Sequence, residues 1–442
     1  MMSLRLIIIV LMATIGGTLS AYAQWSLEDC IKYAQEHNIQ LKKQNNEIEK
    51  NKLTVETTQL QRLPNLTASA SERVSFGRGL TSDNTFVNKN TSSTAFSLNT
   101  SIPLFTGMRI PNEVKMQKLN LKASLADLEK AQNDLALNVA QYFIQAVYGK
   151  ELVGIAQRQI AIDSLQVERI AALKACGKAS RAELSQQQAT LAQSRLTATQ
   201  AENDYQIALL NLSQLLELPT PEGFAILMPK TPNTEQFIKT IPLPETIFET
   251  ALLVKPEISA AKLRIEGAER NISVAKSYLL PRLDLNGGIG SNYYKTSGEL
   301  AESFSSQMKN KFNQEISLTL SIPIFNRMQT RNSIRTAKIE HQNRMLDLDE
   351  KKKTLFKEIQ LVYYNTLAAE SKYQSAVASL ASSQDAFTLM REKYENGKAN
   401  NTEFNESKTN LMKAESELMK AKYEYMYQTS LVDFYSGNPL KL

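Results

Sequence analysis

Apolar and polar residues alternate in four short stretches of this chain and step by threes and fours through several much longer ones, and the arrangement occurs twice. In the first copy Leu66, Ala68, Ala70, Val74 and Phe76 alternate with Thr67, Ser69, Ser71, Arg73 and Ser75. Phe96, Leu98, Ile102 and Leu104 alternate likewise with Ser97, Asn99 and Ser101. A stretch over 77–91 rich in Gly, Ser, Thr and Asn separates the two, which predicts a long-looped β-hairpin over 64–105. The second copy sets Leu283, Leu285 and Ile289 against Asp284 and Asn286, then Ile316, Leu318, Leu320 and Ile322 against Ser317, Thr319 and Ser321, a hairpin over 281–325. Ser101-Ile102-Pro103-Leu104-Phe105 returns 220 residues later as Ser321-Ile322-Pro323-Ile324-Phe325. A single period this long marks a duplicated supersecondary unit, not a short-repeat solenoid.

Each hairpin feeds a long helical pattern. Leu121, Leu125, Leu128, Leu135, Val139, Tyr142 and Ala146 form a narrow seam, and His341, Met345, Leu348, Leu355, Ile359, Val362 and Thr366 occupy the same places 220 residues on. Spacing near 3.5 residues is that of coiled-coil packing. Proline-free sequence from Lys115 to Ala175 predicts one helix of roughly 90 Å. Gly177 then supplies a left-handed stop, and Ser180 with Glu183 makes a capping box for a return helix to about Glu217. Gly397, Asn400 and Glu403 repeat that signal before a helix to about Tyr435, so helical hairpin tips are expected near 176–180 and 396–400. Shorter helices are expected after Ser26, over Asn38–Arg62 and over Glu257–Leu280. Seven of the thirteen prolines fall between Leu218 and Pro256, which excludes a long helix and suggests a small irregular α/β patch. The chain therefore divides into a first repeat over 24–217, a proline-rich equatorial segment over 218–256 and a second repeat over 257–442.

Composition narrows the chemistry. Arg5, an apolar run from Leu6 to Ile15 and Ala21-Tyr22-Ala23 read as an export signal over 1–23. No later apolar run reaches the roughly 20 residues of a membrane helix, so a bilayer would have to be crossed by strands. The excess of 51 basic over 45 acidic residues is mild and interspersed, and no basic block with aromatics argues for nucleic acid. Cys30 and Cys176 are the only cysteines and His37 and His341 the only histidines. Neither a metal-spaced cluster, a phosphate loop nor a nucleophile elbow is present, so no enzyme, metal or cofactor is expected. Glu403 and Glu406 share a helix face; they either complement the helix dipole or line a constriction between chains.

Four strands do not close a barrel, and an open edge is not tolerated in lipid. Two chains would give eight strands and three would give twelve; strand count alone does not choose. The duplicated strand-strand-long-hairpin unit, the Ser-Ile-Pro-hydrophobic-Phe strand ends and the glycine-containing tips resemble the TolC-type outer-membrane efflux family over essentially the whole mature chain. That resemblance implies an α+β membrane protein: a homotrimer sharing one transmembrane β-barrel, four strands per chain, continued by a long α-helical coiled-coil barrel in the periplasm of a Gram-negative bacterium. It further implies a passive exit duct, set in outer-membrane lipid, that docks a periplasmic adaptor and through it an inner-membrane pump of RND or ABC type. By the same likeness Glu183, Tyr394, Glu403, Glu406 and Lys422 become aperture residues, with Tyr394 bonding an acid at the position of Glu183. The family's base two residues after the second tip glycine is replaced by Ala399. Gly177, Lys178, Ala179, Gly397, Lys398 and Ala399 become the adaptor-docking tips. The rival from another class is a periplasmic coiled-coil scaffold or adhesin without a pore, which would not need an apolar face on Leu318, Leu320 and Ile322.

Overall fold

The structure, a computed structural model, describes residues 24–80, 83–88, 90–221, 223–229, 238, 240–298 and 300–441. The expected export signal lies outside them. In chain order the elements are β1 (Gln24–Trp25), α1 (Leu27–His37), α2 (Ile39–Leu60), β2 (Asn65–Ser75), β3 (Arg78–Leu80), β4 (Phe86–Asn88), β5 (Thr91–Phe105), α3 (Arg109–Ala175) and α4 (Arg181–Leu215). They continue with β6 (Ala225–Ile226), α5 (Pro244–Val254), α6 (Pro256–Ser277), β7 (Arg282–Thr296), α7 (Phe304–Asn310), β8 (Asn313–Ser321), α8 (Gln329–Glu395) and α9 (Asn401–Tyr435).

The duplication is kept at the backbone. Helices α3 and α8 both have 67 residues, and α4 and α9 both have 35. Consecutive left-handed residues lead into each long helix, Gly107 and Met108 in one copy and Arg327 and Met328 in the other. Helix α3 starts earlier than its pattern indicated because Pro111 sits in the first turn, where a missing amide hydrogen costs nothing. At roughly 100 Å, α3 and α8 are far longer than a typical globular helix.

Two compact units each draw on both repeats. One comprises 46–127 and 257–350 and holds the antiparallel sheet β2-β5-β7-β8. Opposed residues share a face, so the register sorts the side chains. Asn65, Ser101, Asn286 and Ser317 form one cross-strand row, and Thr67, Asn99, Gly288 and Glu315 another, on a polar face. Ile102, Leu285 and Leu318, and Leu283 with Leu320, lie on the apolar face, as do Leu66 and Ile316. Leu66 is 71% exposed and Ile316 85%, so no described residue covers that part of the face, whereas higher up Phe304 of α7 packs on Phe96 and Tyr293. Sequence alternation missed two features of the loops: the small β3–β4 hairpin, and α7. Helix α7 replaces the absent upper part of β8, with the Gln307 side-chain amide accepting from Tyr294 N (3.0 Å) and donating to its carbonyl (2.9 Å).

The second unit comprises the described residues of 1–45, 128–256 and 351–442. Its core joins Leu27, Cys30 and Ala34 of α1 to Leu135, Val139, Phe143 and Val147 of α3, Leu212 of α4, Ile226 of β6, Ala369 of α8 and Tyr425 of α9. Burying one large side chain contributes about 1.5–3 kcal/mol. Leu135, Val139 and Ala146 of the expected seam are buried, whereas Leu125 and Met345 are exposed, because small Ala123, Ala126 and Ala337 take the inward positions in the other unit. In the proline-rich segment β6 pairs in parallel with β1, and α5 opens with Pro244 at its first turn.

Candidate functional site

Both helical hairpins end in the same motif. Gly177 (φ +70°) follows α3 and Gly397 (φ +69°) follows α8. Lys178 N donates to Leu173 O (2.8 Å) and Gly177 N to Lys174 O (3.0 Å); Lys398 and Gly397 make the same pair to Lys393 (2.8 Å) and Tyr394 (3.1 Å). These are Schellman closures, in which a left-handed residue costs glycine nothing. Lys178 and Lys398 project into solvent while Ala179 and Ala399 are half-buried. Ser180 Oγ then accepts from Glu183 N (3.1 Å) and the Glu183 carboxylate from Ser180 N (2.8 Å). Asn400 and Glu403 repeat the box at 2.9 and 3.0 Å. Both boxes read from the sequence therefore form, and each occupies one carboxylate.

Tyr394 reaches the other hairpin by a different partner from the one the resemblance implied. Its hydroxyl accepts from Gln166 Nε2 (2.5 Å) on α3 and lies 3.5 Å from Asn401 Oδ1. Its ring stacks on Phe404 (4.7 Å between centroids) beneath the Arg169 guanidinium, 5.1 Å from its centre. Burial raises the phenol's pKa, the Arg169 charge and the Gln166 bond lower it, and the Glu183 charge raises it again. Glu183 is thus an electrostatic neighbour of Tyr394. Glu403 and Glu406 are both exposed.

Beneath the tips lies a polar cluster that sequence reasoning missed. Asp163 of α3 is wholly buried and Lys408 of α9 is 3% exposed, and they form an ion pair. Asp163 also accepts from Ser194 Oγ (2.6 Å), Gln159 Nε2 (3.0 Å) and Gln187 Nε2 (3.3 Å). Lys408 donates in addition to Asn405 Oδ1 (3.1 Å). One signal was legible: buried Ala156, Gln159, Asp163, Gln166 and Ile170 continue the α3 seam at four- and three-residue steps, so a charge falls on an inward position.

The outer membrane efflux protein family matches residues 30–217 and 247–435, most of the chain. The chain belongs to that family.

Among its relatives is the pyoverdine export outer membrane protein OpmQ of Pseudomonas putida, 24% identical over 309 residues, 69% of this chain and 62% of OpmQ. The alkaline protease secretion protein AprF of Pseudomonas aeruginosa is 21% identical over 69% of this chain and 61% of its own length. The matched part thus spans about three-fifths of those two relatives. The fold resembles the Campylobacter jejuni CmeC outer membrane channel, with a TM-score of 0.76 at 19% identity over 93% of this chain and 85% of that one. As a family member the chain is an outer-membrane protein. No helix among the described residues is long and apolar enough to cross a membrane, a statement that does not touch the strands.

Lys422 stands apart from the acids it was grouped with. It follows Glu406 by 16 residues on α9, roughly 24 Å at 1.5 Å per residue. It lies by Tyr423, whose hydroxyl donates to Glu151 (3.2 Å). Burial lowers its pKa and the Glu151 charge partly restores it. Within one protomer the tip therefore assembles Tyr394, Glu183 and the two capping boxes, and leaves Lys422 to a separate layer.

Proposed function

We propose that this protein is the exit duct of a tripartite efflux or type I secretion system, a homotrimer that passes small molecules or peptides delivered by a pump and adaptor. It hydrolyses nothing itself. The observation that carries the reading is the sheet: four strands, an apolar face on which Leu66, Ile316, Leu318 and Leu320 stand exposed, a polar face opposite, and β2 and β8 as open edges. Open edges are not stable in hydrocarbon, so the edges of neighbouring copies pair, and three copies give a twelve-stranded barrel. Helices α3, α4, α8 and α9 then form the periplasmic tunnel. Export named for OpmQ and secretion named for AprF support a conduit, and cargo choice rests with the pump.

In the same reading Gly177, Lys178, Ala179, Gly397, Lys398 and Ala399 meet the adaptor, and Glu183, Tyr394, Glu403, Glu406 and Lys422 set the aperture. Mass measurement in detergent is expected to give three protomers, and planar bilayers a conducting particle. A stable monomer, or a trimer that never conducts, overturns the proposal.

A further inference from the structure

Residues Asn405 and Lys408 leave the same turns of α9 as Glu403 and Glu406 but point the other way. At about 100° per residue, Phe404, Lys408 and Asn405 centre on a direction about 180° from the midpoint of the two glutamates. Phe404 and Lys408 are buried, whereas Glu403 and Glu406 are exposed. Whatever fixes the azimuth of Lys408 therefore fixes which way the acids face.

What holds Lys408 comes from three helices and both hairpins. Gln159 and Asp163 stand on α3, Gln187 and Ser194 on α4, and Asn405 and Lys408 on α9; Asn405 Nδ2 closes the circuit onto Gln187 Oε1 (3.3 Å). The Asp163 carboxylate accepts four donors: Lys408, Gln159, Gln187 and Ser194. Only one copy of the duplication is built this way. At the 220-residue offset Asp163 becomes Ser383, and Lys408 corresponds to Gln188. A buried ion pair adds little stability over an apolar replacement, but rotating or sliding one partner away strands a charge out of water, which is strongly unfavourable. Its worth is a single permitted register.

We infer that Asp163 and Lys408 are positioning residues that lock the rotation of α9 so that Glu403 and Glu406 face the axis of the assembled tip. The inference rests on the acid-lined aperture described above and deepens it. It assigns the first hairpin the task of orienting the acids of the second.

Spin labels at Asn410→Cys in the full-length trimer, on the same face as the acids and with Cys176→Ser removing the exposed thiol, read the azimuth directly. The native pair is expected to give one narrow inter-protomer distance. Lys408→Met should broaden the distribution or move it by on the order of 3 Å, the displacement of a helical position turned by one residue's step. Asp163→Lys with Lys408→Asp should narrow it again. An unchanged distribution in an assembled Lys408→Met trimer overturns the inference. If that variant does not assemble, Asp163→Leu with Lys408→Met removes both charges and is measured instead; broadening supports the lock, and an unchanged distance shows that packing alone sets the azimuth. Ion selectivity plays no part in this readout, so a failure of the acid-lined aperture would be seen separately.

Discussion

Single residues in this chain do different work from their neighbours because of where the backbone leaves them. Cys30 lies wholly buried in α1, where burial pushes its thiol up to about 12 with the Asp29 charge adding to the effect. Cys176 is exposed one residue before a tip glycine. A raised pKa keeps a thiol protonated below it, and the thiolate is the reactive form. At pH 8 an alkylating reagent is therefore expected to modify one thiol per protomer in the folded protein, at Cys176, and two after denaturation. Peptide mapping checks this, and modification of Cys30 in the folded trimer would contradict the burial of α1. Tyr394 shows the complementary case: its pKa is raised, so the phenol stays neutral near pH 8 and can donate to Asn401 while accepting from Gln166.

Among elements, the strands carry the sharpest expectation. Leu320, Leu318 and Ile316 lie on one face of β8, with Leu320 one residue from its end beside Pro323 and the approach to α8. An arginine on the lipid side costs roughly 2–4 kcal/mol at mid-membrane and about 0–1 kcal/mol near the interface. Assembly yield should therefore fall from Leu320→Arg through Leu318→Arg to Ile316→Arg, while Ser317→Arg on the polar face inserts normally. Equal yields for Ile316→Arg and Ser317→Arg would reverse the face assignment. The helical hairpins make a prediction of their own: Ala399→Trp adds bulk beside a tip without touching the left-handed glycine. Trimer yield should be unchanged and efflux lost, as a cellular accumulation assay would register. Retained efflux would move the adaptor contact away from this tip.

On the scale of the whole molecule, the proposed trimer would bring six carboxylates from Glu403 and Glu406 toward one axis. Like charges held together favour cations between them. The native trimer is expected to conduct weakly and prefer cations in planar bilayers, and Glu403→Gln with Glu406→Gln to lose that preference. Unaltered selectivity in an assembled trimer would leave both acids as a helix cap and a solvated face. Separation along α9 makes Lys422 a distinct layer, so Tyr394→Phe and Lys422→Ser should loosen the closed state independently and their effects on conductance should multiply.

The duplication, the long helices, the alternating strand faces and both capped tips were legible in the sequence by itself, because each is a local rule. Period-two alternation follows from the pleat, seam spacing from the helix repeat, and Gly with a capping box from the unpaired groups at helix ends. Gly177 and Gly397 fell where those rules put them. Tertiary structure decided what local rules cannot reach. It chose Gln166 as the partner of Tyr394, folded α7 against β7 where β8 stops, and placed small alanines on the inner side of α3 and α8 where Leu125 and Met345 had been expected. It also joined Asp163 to Lys408 across 245 residues of sequence. Each of those depends on which helices meet and at what rotation, and a buried charge reveals its purpose only beside the partner that neutralises it.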